Sequence, residues 1–313
     1  MKKAAIYLPL AFVFSLALSV KANVLINDTW QDSLRNEPAA PTYAENNGVV
    51  GSDANSDGNI ESVWFKGGAG TLTATPNDLQ GTGYSSSSAT WYTYFTGGGT
   101  VVNLANAGDG LKLTWKFTLA GINAGNTSQG MYIGVGLTPS GSRVTGDASM
   151  PNATYLGYAM LMNIAPTLGN SKPFDLRKWA SPGSSGAFLG TSGNWTDLAN
   201  GATSGNAGFA NSTPYTYTMT LTRNASGGLD VDSKMTGAGL NGTGTEEVTY
   251  SDTTASQGFS FDTFGLRPSS TANTATTFDT SLFEVEYVPV PEPSTLALAG
   301  LGLALFAWRR KHC

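Results

Sequence analysis

Residues 111–119 read Leu-Lys-Leu-Thr-Trp-Lys-Phe-Thr-Leu, and apolar and polar side chains alternate at every position. In an extended chain this alternation puts the apolar side chains on one face and the Lys and Thr side chains on the other. The stretch therefore predicts a β-strand with one buried and one solvated face. Trp115 then points into the core together with Leu113 and Phe117.

The same alternation recurs at 215–222 (Tyr-Thr-Tyr-Thr-Met-Thr-Leu-Thr) and at 283–287 (Phe-Glu-Val-Glu-Tyr). Between the two chain ends, no segment of the sequence shows a sustained helical period. Short strands joined by tight turns predict an all-β fold, a two-sheet antiparallel β-sandwich or jelly roll. Six further strands, each bounded by Gly, Asn, Ser or Pro, are predicted at 89–95, 131–137, 155–164, 229–235, 247–250 and 259–264.

The composition of the central part of the chain excludes several functions. Between Asn23 and Val290 there are eleven basic and twenty-one acidic side chains, and neither Cys nor His. The negative balance argues against binding of nucleic acid or anionic lipid. The lack of thiols and imidazoles excludes disulfides, thiolate zinc sites, Cys nucleophiles and Ser-His-Asp catalysis from this part. Its length suits one undivided all-β domain, predicted at residues 23–288.

The N-terminus has the layout of a secretory signal peptide. Lys2 and Lys3 precede an apolar run at residues 4–20, and the small residue Ala22 follows it. A basic start, an apolar helix and a small residue before the cut are the three parts of such a signal. We predict that residues 1–22 form the signal helix and that signal peptidase cuts between Ala22 and Asn23. The rest of the chain is then exported.

The C-terminus combines a proline motif, an apolar run and a basic tail. These are Val-Pro-Glu-Pro-Ser-Thr at 290–295, residues 296–308, and Arg-Arg-Lys-His-Cys at 309–313. The prolines break helix and sheet, so they predict an exposed hinge. The thirteen residues of the apolar run give about 20 Å of helix, short against a hydrocarbon core of about 30 Å. The basic tail nevertheless predicts a short transmembrane helix whose end stays in the cytoplasm.

In the order of these three parts, residues 289–313 resemble the PEP-CTERM sorting signal of bacteria that make exopolysaccharide. The resemblance implies that an exosortase recognises Pro291, Glu292 and Pro293. It also implies that the C-terminal helix anchors the chain in the membrane in transit, and that its removal delivers the protein to the cell surface or extracellular matrix. A eukaryotic glycolipid-anchor signal, which also ends in an apolar tail, is the alternative. The basic terminal cluster argues against it.

A second resemblance covers most of the exported part. It is carried by Val-Leu-Ile-Asn-Asp-Thr-Trp at 24–30 and by residues 111–119, 131–137, 261–268 and 283–288. These patches resemble exported PEP-CTERM proteins with a concanavalin A-like or laminin-G-like domain. The resemblance implies a concanavalin A-like jelly roll and a surface domain associated with carbohydrate.

One acidic loop matches the first nine positions of a calcium-binding loop, with the sequence Asp-Ala-Asn-Ser-Asp-Gly-Asn-Ile-Glu at 53–61. Oxygen-bearing side chains at alternate positions converge on one cation, and Gly58 allows the sharp turn. The twelfth position, where a bidentate Glu normally closes the site, is Trp64. An Asx-rich turn leading into a strand at 62–65 is therefore the alternative. The predicted Ca²⁺ ligands are Asp53, Asn55, Asp57, Asn59 and Glu61.

Two tryptophans in polar surroundings are candidates for sugar binding, which needs flat aromatic faces beside hydrogen-bonding groups. Trp179 follows Arg177 and Lys178, and Trp195 lies in Gly-Asn-Trp-Thr-Asp. The predicted carbohydrate site therefore comprises Trp179, Trp195 and Arg177. Packing in the core is the alternative for each indole.

These observations favour an exported, non-catalytic protein of the cell surface or matrix that associates with polysaccharide. A carbohydrate-active enzyme, either a glycoside hydrolase or a polysaccharide lyase, is the first alternative. Hydrolysis needs two carboxylates about 5 to 9.5 Å apart. Glu284 and Glu286 face one side of a strand, although such pairs are ordinary on a solvated face. A purely structural envelope protein is the second alternative.

Overall fold

The computed structural model describes residues 22–46, 51–85, 89–180, 186–190, 192–253 and 257–290. They belong to one unit, Ala22–Val290. The predicted signal helix, the Pro291-Glu292-Pro293 motif and the short C-terminal transmembrane helix lie outside the described residues. No helix within the described residues is both long enough and apolar enough to cross a membrane.

Seventeen strands are present in these described ranges, and three single-turn 3-10 helices lie at Ser192–Asn194, Leu240–Gly242 and Thr271–Asn273. In chain order the strands are β1 (Asn23–Asp28), β2 (Trp64–Gly67), β3 (Thr71–Thr75), β4 (Asp78–Thr82), β5 (Thr90–Tyr94), β6 (Val102–Asn103), β7 (Gly110–Ala120), β8 (Met131–Leu137), β9 (Leu156–Met162), β10 (Phe174–Trp179), β11 (Trp195–Gly201), β12 (Tyr215–Arg223), β13 (Leu229–Gly237), β14 (Thr245–Asp252), β15 (Ser260–Phe261), β16 (Thr263–Pro268) and β17 (Thr277–Val288).

The strands form two large antiparallel sheets. The first has the order β14-β13-β12-β7-β17-β4-β3. β1 also pairs with β17, on the same side of β17 as β4 but further along the strand. The second has the order β11-β10-β9-β8-β16-β5-β2, and β6 pairs separately with β15. The predicted two-sheet antiparallel β-sandwich is confirmed.

The main core lies between the sheets and follows the alternation of β7. Leu113, Trp115 and Phe117 are each 1% exposed, as their spacing predicts. Trp115 stacks on Phe117 with ring centroids 3.8 Å apart, and its indole N–H donates to the Thr280 hydroxyl of β17 at 3.0 Å. The buried indole therefore keeps a hydrogen bond while its rings fill the core.

The outer face of the first sheet is polar. Four threonines alternate along β12 on this face, and most side chains opposite them on β7 and β13 are Lys, Thr or Asp. One row across four strands consists of Lys112, Thr220, Asp232 and Thr249. This is the solvated half of the period-two pattern.

The outer face of the second sheet is buried under loops instead. Strands β5, β8, β9 and β16 are buried at nearly every position. Loop side chains such as Tyr43, Met150 and Phe188 join strand side chains such as Tyr92 and Leu161 in a second apolar cluster. The molecule therefore has three layers, which are the covering loops, the second sheet and the first sheet.

Glycines in the second sheet make room for one covering loop. A Cβ atom at Gly134 would lie 2.8 Å from Leu189 Cδ2, and one at Gly136 would lie 2.8 Å from Phe188 Cε2. Both distances are too short for ordinary contact. The loop at 186–190 is thus seated where β8 has no side chains.

Candidate functional site

The two predicted sugar-binding tryptophans lie opposite each other on β10 and β11, at the edge of the second sheet. Their rings meet edge to face with centroids 5.0 Å apart, and the rings of Tyr155 and Phe188 pack on them. Trp179 is 1% exposed and Trp195 4%. The structure brings the two indoles together, but inside the second apolar cluster. Sugar binding by them stays a prediction, and it requires their covering side chains to move away.

Arg177 lies in an ion-pair network next to these tryptophans. Its Nη2 is 2.5 Å from Asp175 Oδ2, and its Nε is 3.0 Å from Asp197 Oδ1. Lys172 also pairs with Asp197, at 2.5 Å. Because Asp175 is on β10 and Asp197 on β11, the guanidinium ties the edge strand β11 to its neighbour β10.

The first three predicted calcium ligands hydrogen-bond to their own loop. The two oxygens of Asp53 accept the backbone N–H groups of Ser56 and Gly58, at 2.6 and 2.9 Å. The side chains of Asn55 and Asp57 each accept the N–H group two residues further along. These are the bonds of an Asx-rich turn. Calcium binding by the five predicted residues stays a prediction.

The other two predicted ligands turn away from this loop. Asn59 Oδ1 accepts a hydrogen bond from the Thr29 hydroxyl at 3.0 Å. Glu61 is 2% exposed, and one of its carboxylate oxygens lies within 4.8 Å of an oxygen of Asp32 and of Glu37. The predicted ligand set therefore divides into two places in the structure.

A cleft of about 430 Å³ lies between the loops that follow β5 and β8. Both strands pair antiparallel with β16, so both loops leave the second sheet at the same end. Asp262, which directly precedes β16, lies at that end as well. The lining residues are Tyr43, Gly99, Thr100, Val101, Leu137, Thr138, Pro139, Ser140, Gly141, Arg143 and Asp262.

Arg143 fixes the floor of the cleft. Its guanidinium donates to both the Thr96 and Gly97 carbonyls at 2.9 Å, to the Thr100 carbonyl at 2.9 Å, and to Asp262 Oδ2 at 2.9 Å. It also donates to the Thr96 hydroxyl at 2.8 Å. One carboxylate, three carbonyls and one hydroxyl thus accept hydrogen bonds from the planar fork of donors that Arg provides. The loop at 96–100 is therefore bound to the loop at 137–143 before any ligand arrives.

Asp262 is the second fixed point of the floor. Its Oδ1 accepts the backbone N–H of Thr138 at 2.8 Å and the Thr263 hydroxyl at 2.6 Å, and its Oδ2 accepts from Arg143. Burial raises the pKa of this carboxyl, and the Arg143 guanidinium opposes that shift. Its oxygens are all engaged within the protein, so Asp262 acts here as a structural group.

Sequence reasoning did not identify this cleft. The strand predicted at 259–264 runs through Asp262, whereas the structure ends β15 at Phe261 and starts β16 at Thr263. An acidic residue among three phenylalanines of a predicted strand was the available signal. Its partner Arg143 is 119 residues away in the sequence, so only the strand order brings the two together.

Comparison with known proteins identifies the C-terminal segment. Residues 289–311 match the PEP-CTERM protein-sorting motif. The chain carries this motif, as its C-terminal sequence predicted, and the motif marks it as an exported protein. No curated protein matches the chain.

Several solved lectin structures are similar to the sandwich at low identity. Arcelin-5, a lectin-like defense protein from Phaseolus vulgaris, is 11% identical over 72% of this chain and 93% of its own, with a TM-score of 0.41. The VIP36 exoplasmic/lumenal domain in a Ca²⁺/Man3GlcNAc-bound form is 14% identical over 75% of this chain and 87% of its own, with a TM-score of 0.42. The Emp47p carbohydrate recognition domain is 15% identical over 77% of this chain and 100% of its own, with a TM-score of 0.43.

Proposed function

We propose that this exported protein binds a neutral polysaccharide at the cell surface or in the extracellular matrix without cleaving it, and that the cleft beside Val101 is the binding site. The observation that carries the proposal is the cleft itself, in which an exposed apolar side chain and loop hydroxyls surround a rigid floor.

The rim of the cleft offers both kinds of contact that a sugar ring uses. Val101 is 44% exposed, which is unusual for a large apolar side chain in this protein. Thr100, Pro139 and Ser140 line the same cleft and add an apolar ring and two hydroxyl groups. Pyranose rings have apolar C–H faces edged by hydroxyl groups, so they suit a mixed surface of this kind.

The floor of the cleft is already held in place before a ligand binds. The Arg143 guanidinium already bonds to carbonyls of one loop and to Asp262, so a ligand does not have to order these loops. Binding to a preformed site avoids the entropy of loop ordering. Neutral polymers are the favoured class of ligand. Residues 23–290 contain eleven basic and twenty-one acidic side chains, and this net negative charge repels anionic polymers.

Retention of the protein in native gels that contain polysaccharide tests the proposal. The full chain, purified in a mild non-ionic detergent, is run in gels containing dextran, mannan, xylan or laminarin. We expect at least one of these neutral polymers to retard it. Val101→Asp should weaken the retardation at least tenfold, about 1.4 kcal/mol in binding free energy, because it places a charge against the sugar face. A sedimentation assay on the same polymer gives the dissociation constants.

Leu34→Asp is the matched control. Leu34 is 53% exposed and lies outside the cleft, so the same substitution there should leave the retardation unchanged. Equal loss in both variants would contradict the cleft as the site. Newly released reducing ends would instead show a carbohydrate-active enzyme. No retardation by any polymer, with no product, would favour a purely structural role.

A further inference from the structure

Glu61 lies three residues before β2, next to the isolated antiparallel bridge between Ala44 and Ser62. Its N–H donates to Glu45 Oε2 at 3.1 Å, and its carbonyl accepts the Glu45 N–H at 3.0 Å. The side chain is 2% exposed. Neither carboxylate oxygen has a hydrogen-bond partner among the described residues. A buried acid with two unsatisfied oxygens is costly unless something binds it.

The Glu61 carboxylate faces two other acids. Oxygen atoms of Asp32, Glu37 and Glu61 all lie within 4.8 Å of one another. None of the ion pairs among the described residues includes any of these three acids. Arg35, which lies between Asp32 and Glu37 in the sequence, is used elsewhere: it pairs with both oxygens of Asp147, at 2.9 and 2.7 Å.

The surroundings make this arrangement unfavourable for free carboxylates. Burial, and then the charges of Asp32, Asp57, Glu45 and Glu37, raise the pKa of Glu61 to about 8. The wider region is also acidic, since seven acidic residues and one basic residue lie between Asp28 and Glu61. A divalent cation bound between the three carboxylates would offset their mutual repulsion.

We propose that Asp32, Glu37 and Glu61 bind one calcium ion, which fastens the segment at 31–46 to the chain just before β2. Carboxylate oxygens are the donors that hard cations prefer. Three oxygens at most 4.8 Å apart are close enough to reach one cation between them. Ca²⁺ takes oxygen ligands at about 2.3–2.6 Å in flexible geometry, whereas Mg²⁺ requires about 2.0–2.1 Å and stricter geometry. Water or backbone carbonyls complete the shell of six to eight ligands that Ca²⁺ needs.

This site differs from the loop that the sequence predicted. Asp53 uses both its oxygens on backbone N–H groups of the loop, whereas Glu61 has both of its oxygens available. The two sites share Glu61, so variants of Asp32 and Asp53 distinguish them. The proposal is also independent of the polysaccharide cleft, because none of its three ligands lines that cleft.

Calcium binding and thermal stability, measured together, test the proposal. The full chain in mild detergent is stripped with a chelator, and bound ⁴⁵Ca is measured by equilibrium dialysis at pH 7.5. We expect one ion per chain, and a midpoint of thermal unfolding that rises on adding 1 mM CaCl₂. An equal concentration of MgCl₂ should give a smaller rise. Glu61→Gln and Asp32→Asn should each weaken calcium binding at least tenfold.

Asp53→Asn is the matched control, since it removes one acid from the same region but not from the proposed site. It should bind calcium as the unaltered chain does. Glu61→Gln keeps the size of the side chain and removes its charge, so it should fold at least as well without calcium. The proposal is overturned if dialysis finds no bound calcium, if Glu61→Gln binds it unchanged, or if Asp53→Asn alone loses it. Equal effects of MgCl₂ would overturn the choice of calcium.

Discussion

At the scale of single residues, Trp179 shows how an indole in polar sequence surroundings becomes part of a core. Truncation to Ala leaves a large cavity between Trp195 and Tyr155. We expect Trp179→Ala to lower the free energy of unfolding by about 3–5 kcal/mol, seen as a lower urea midpoint with an unchanged slope.

Trp179→Phe is the control for this substitution. It keeps an aromatic ring in the cluster and should lose less stability than the Ala variant. If Trp179→Ala instead kept full stability and reduced retention in polysaccharide gels, the predicted sugar-binding role of Trp179 would be supported over the packing role.

Asp78, at the start of β4, gives the stability a defined pH dependence. Burial, and then the charge of Asp279, raise its pKa from 3.8 to about 6. Between these values the folded state holds a proton that the unfolded state has released, so stability falls as pH rises from about 4 to about 6 and then stays level. Asp78→Asn cannot titrate in this range, so it should not show this fall in the free energy of unfolding.

Urea unfolding of the unaltered chain and of Asp78→Asn, at pH 4, 5, 6 and 7, measures this effect. The variant should be the more stable of the two above pH 6, and the difference should vanish towards pH 4. A constant difference at all four values, or none, would show that the Asp78 carboxyl does not titrate as described.

At the scale of elements, the pairing of β8 with β9 depends on one backbone position. Gly157 has φ +145°, and a Cβ atom there would lie 2.2 Å from the carbonyl oxygen of Val135. Both the conformation and the contact exclude larger residues. We expect Gly157→Ala to destabilise the fold by about 3 kcal/mol or more, measured by urea unfolding.

Gly193→Ala provides the comparison, because no described atom lies within 4 Å of a Cβ built there. It should change the free energy of unfolding by less than about 0.5 kcal/mol. Similar losses in both variants would mean that the close approach of β8 and β9 is not the reason for the glycine.

The strands with strict alternation were predictable because their pattern is local. Residues 111–119 and 215–222 correspond to β7 and β12 almost to the residue. Strands β3, β4, β10 and β11 were not predicted. Thr71–Thr75, for example, alternates Thr with Leu72 and Ala74 over only five residues, of which only Leu72 is buried. It pairs with β4 through its backbone and through a hydrogen bond between the Thr71 and Thr82 hydroxyls. In a segment this short, the pairing partners decide the strand more than the alternation does.

The site was less predictable than the fold, for a related reason. Arg143 and Asp262 meet only because β5, β8 and β16 are neighbours in the second sheet. The burial of Trp179 depends on loops lying over that sheet, and a loop has no periodic signal. Glu61 was found by its place in a calcium-loop pattern, yet two acids with oxygens within 4.8 Å of its own, Asp32 and Glu37, come from another segment.

At the scale of the whole molecule, an exported domain without disulfides is held together by two apolar clusters. One lies between the sheets and the other between the second sheet and its covering loops. Burying both faces of one sheet enlarges the apolar area removed from water, which is the main stabilising contribution to folding. Arg35 adds a link between layers, since it bonds to the Trp64 carbonyl and to Asp147 of a covering loop.

The position of β17 has a consequence for the order of events during export. β17 is the last strand of the chain, yet it lies between β7 on one side and β1 and β4 on the other. A polypeptide delivered with its N-terminus leading cannot join the two halves of the first sheet until Thr277–Val288 has crossed. Asn23 also pairs with Tyr287, so the first strand can form only after the segment that adjoins the sorting motif has crossed. The sandwich is therefore complete only after translocation has reached the C-terminal segment.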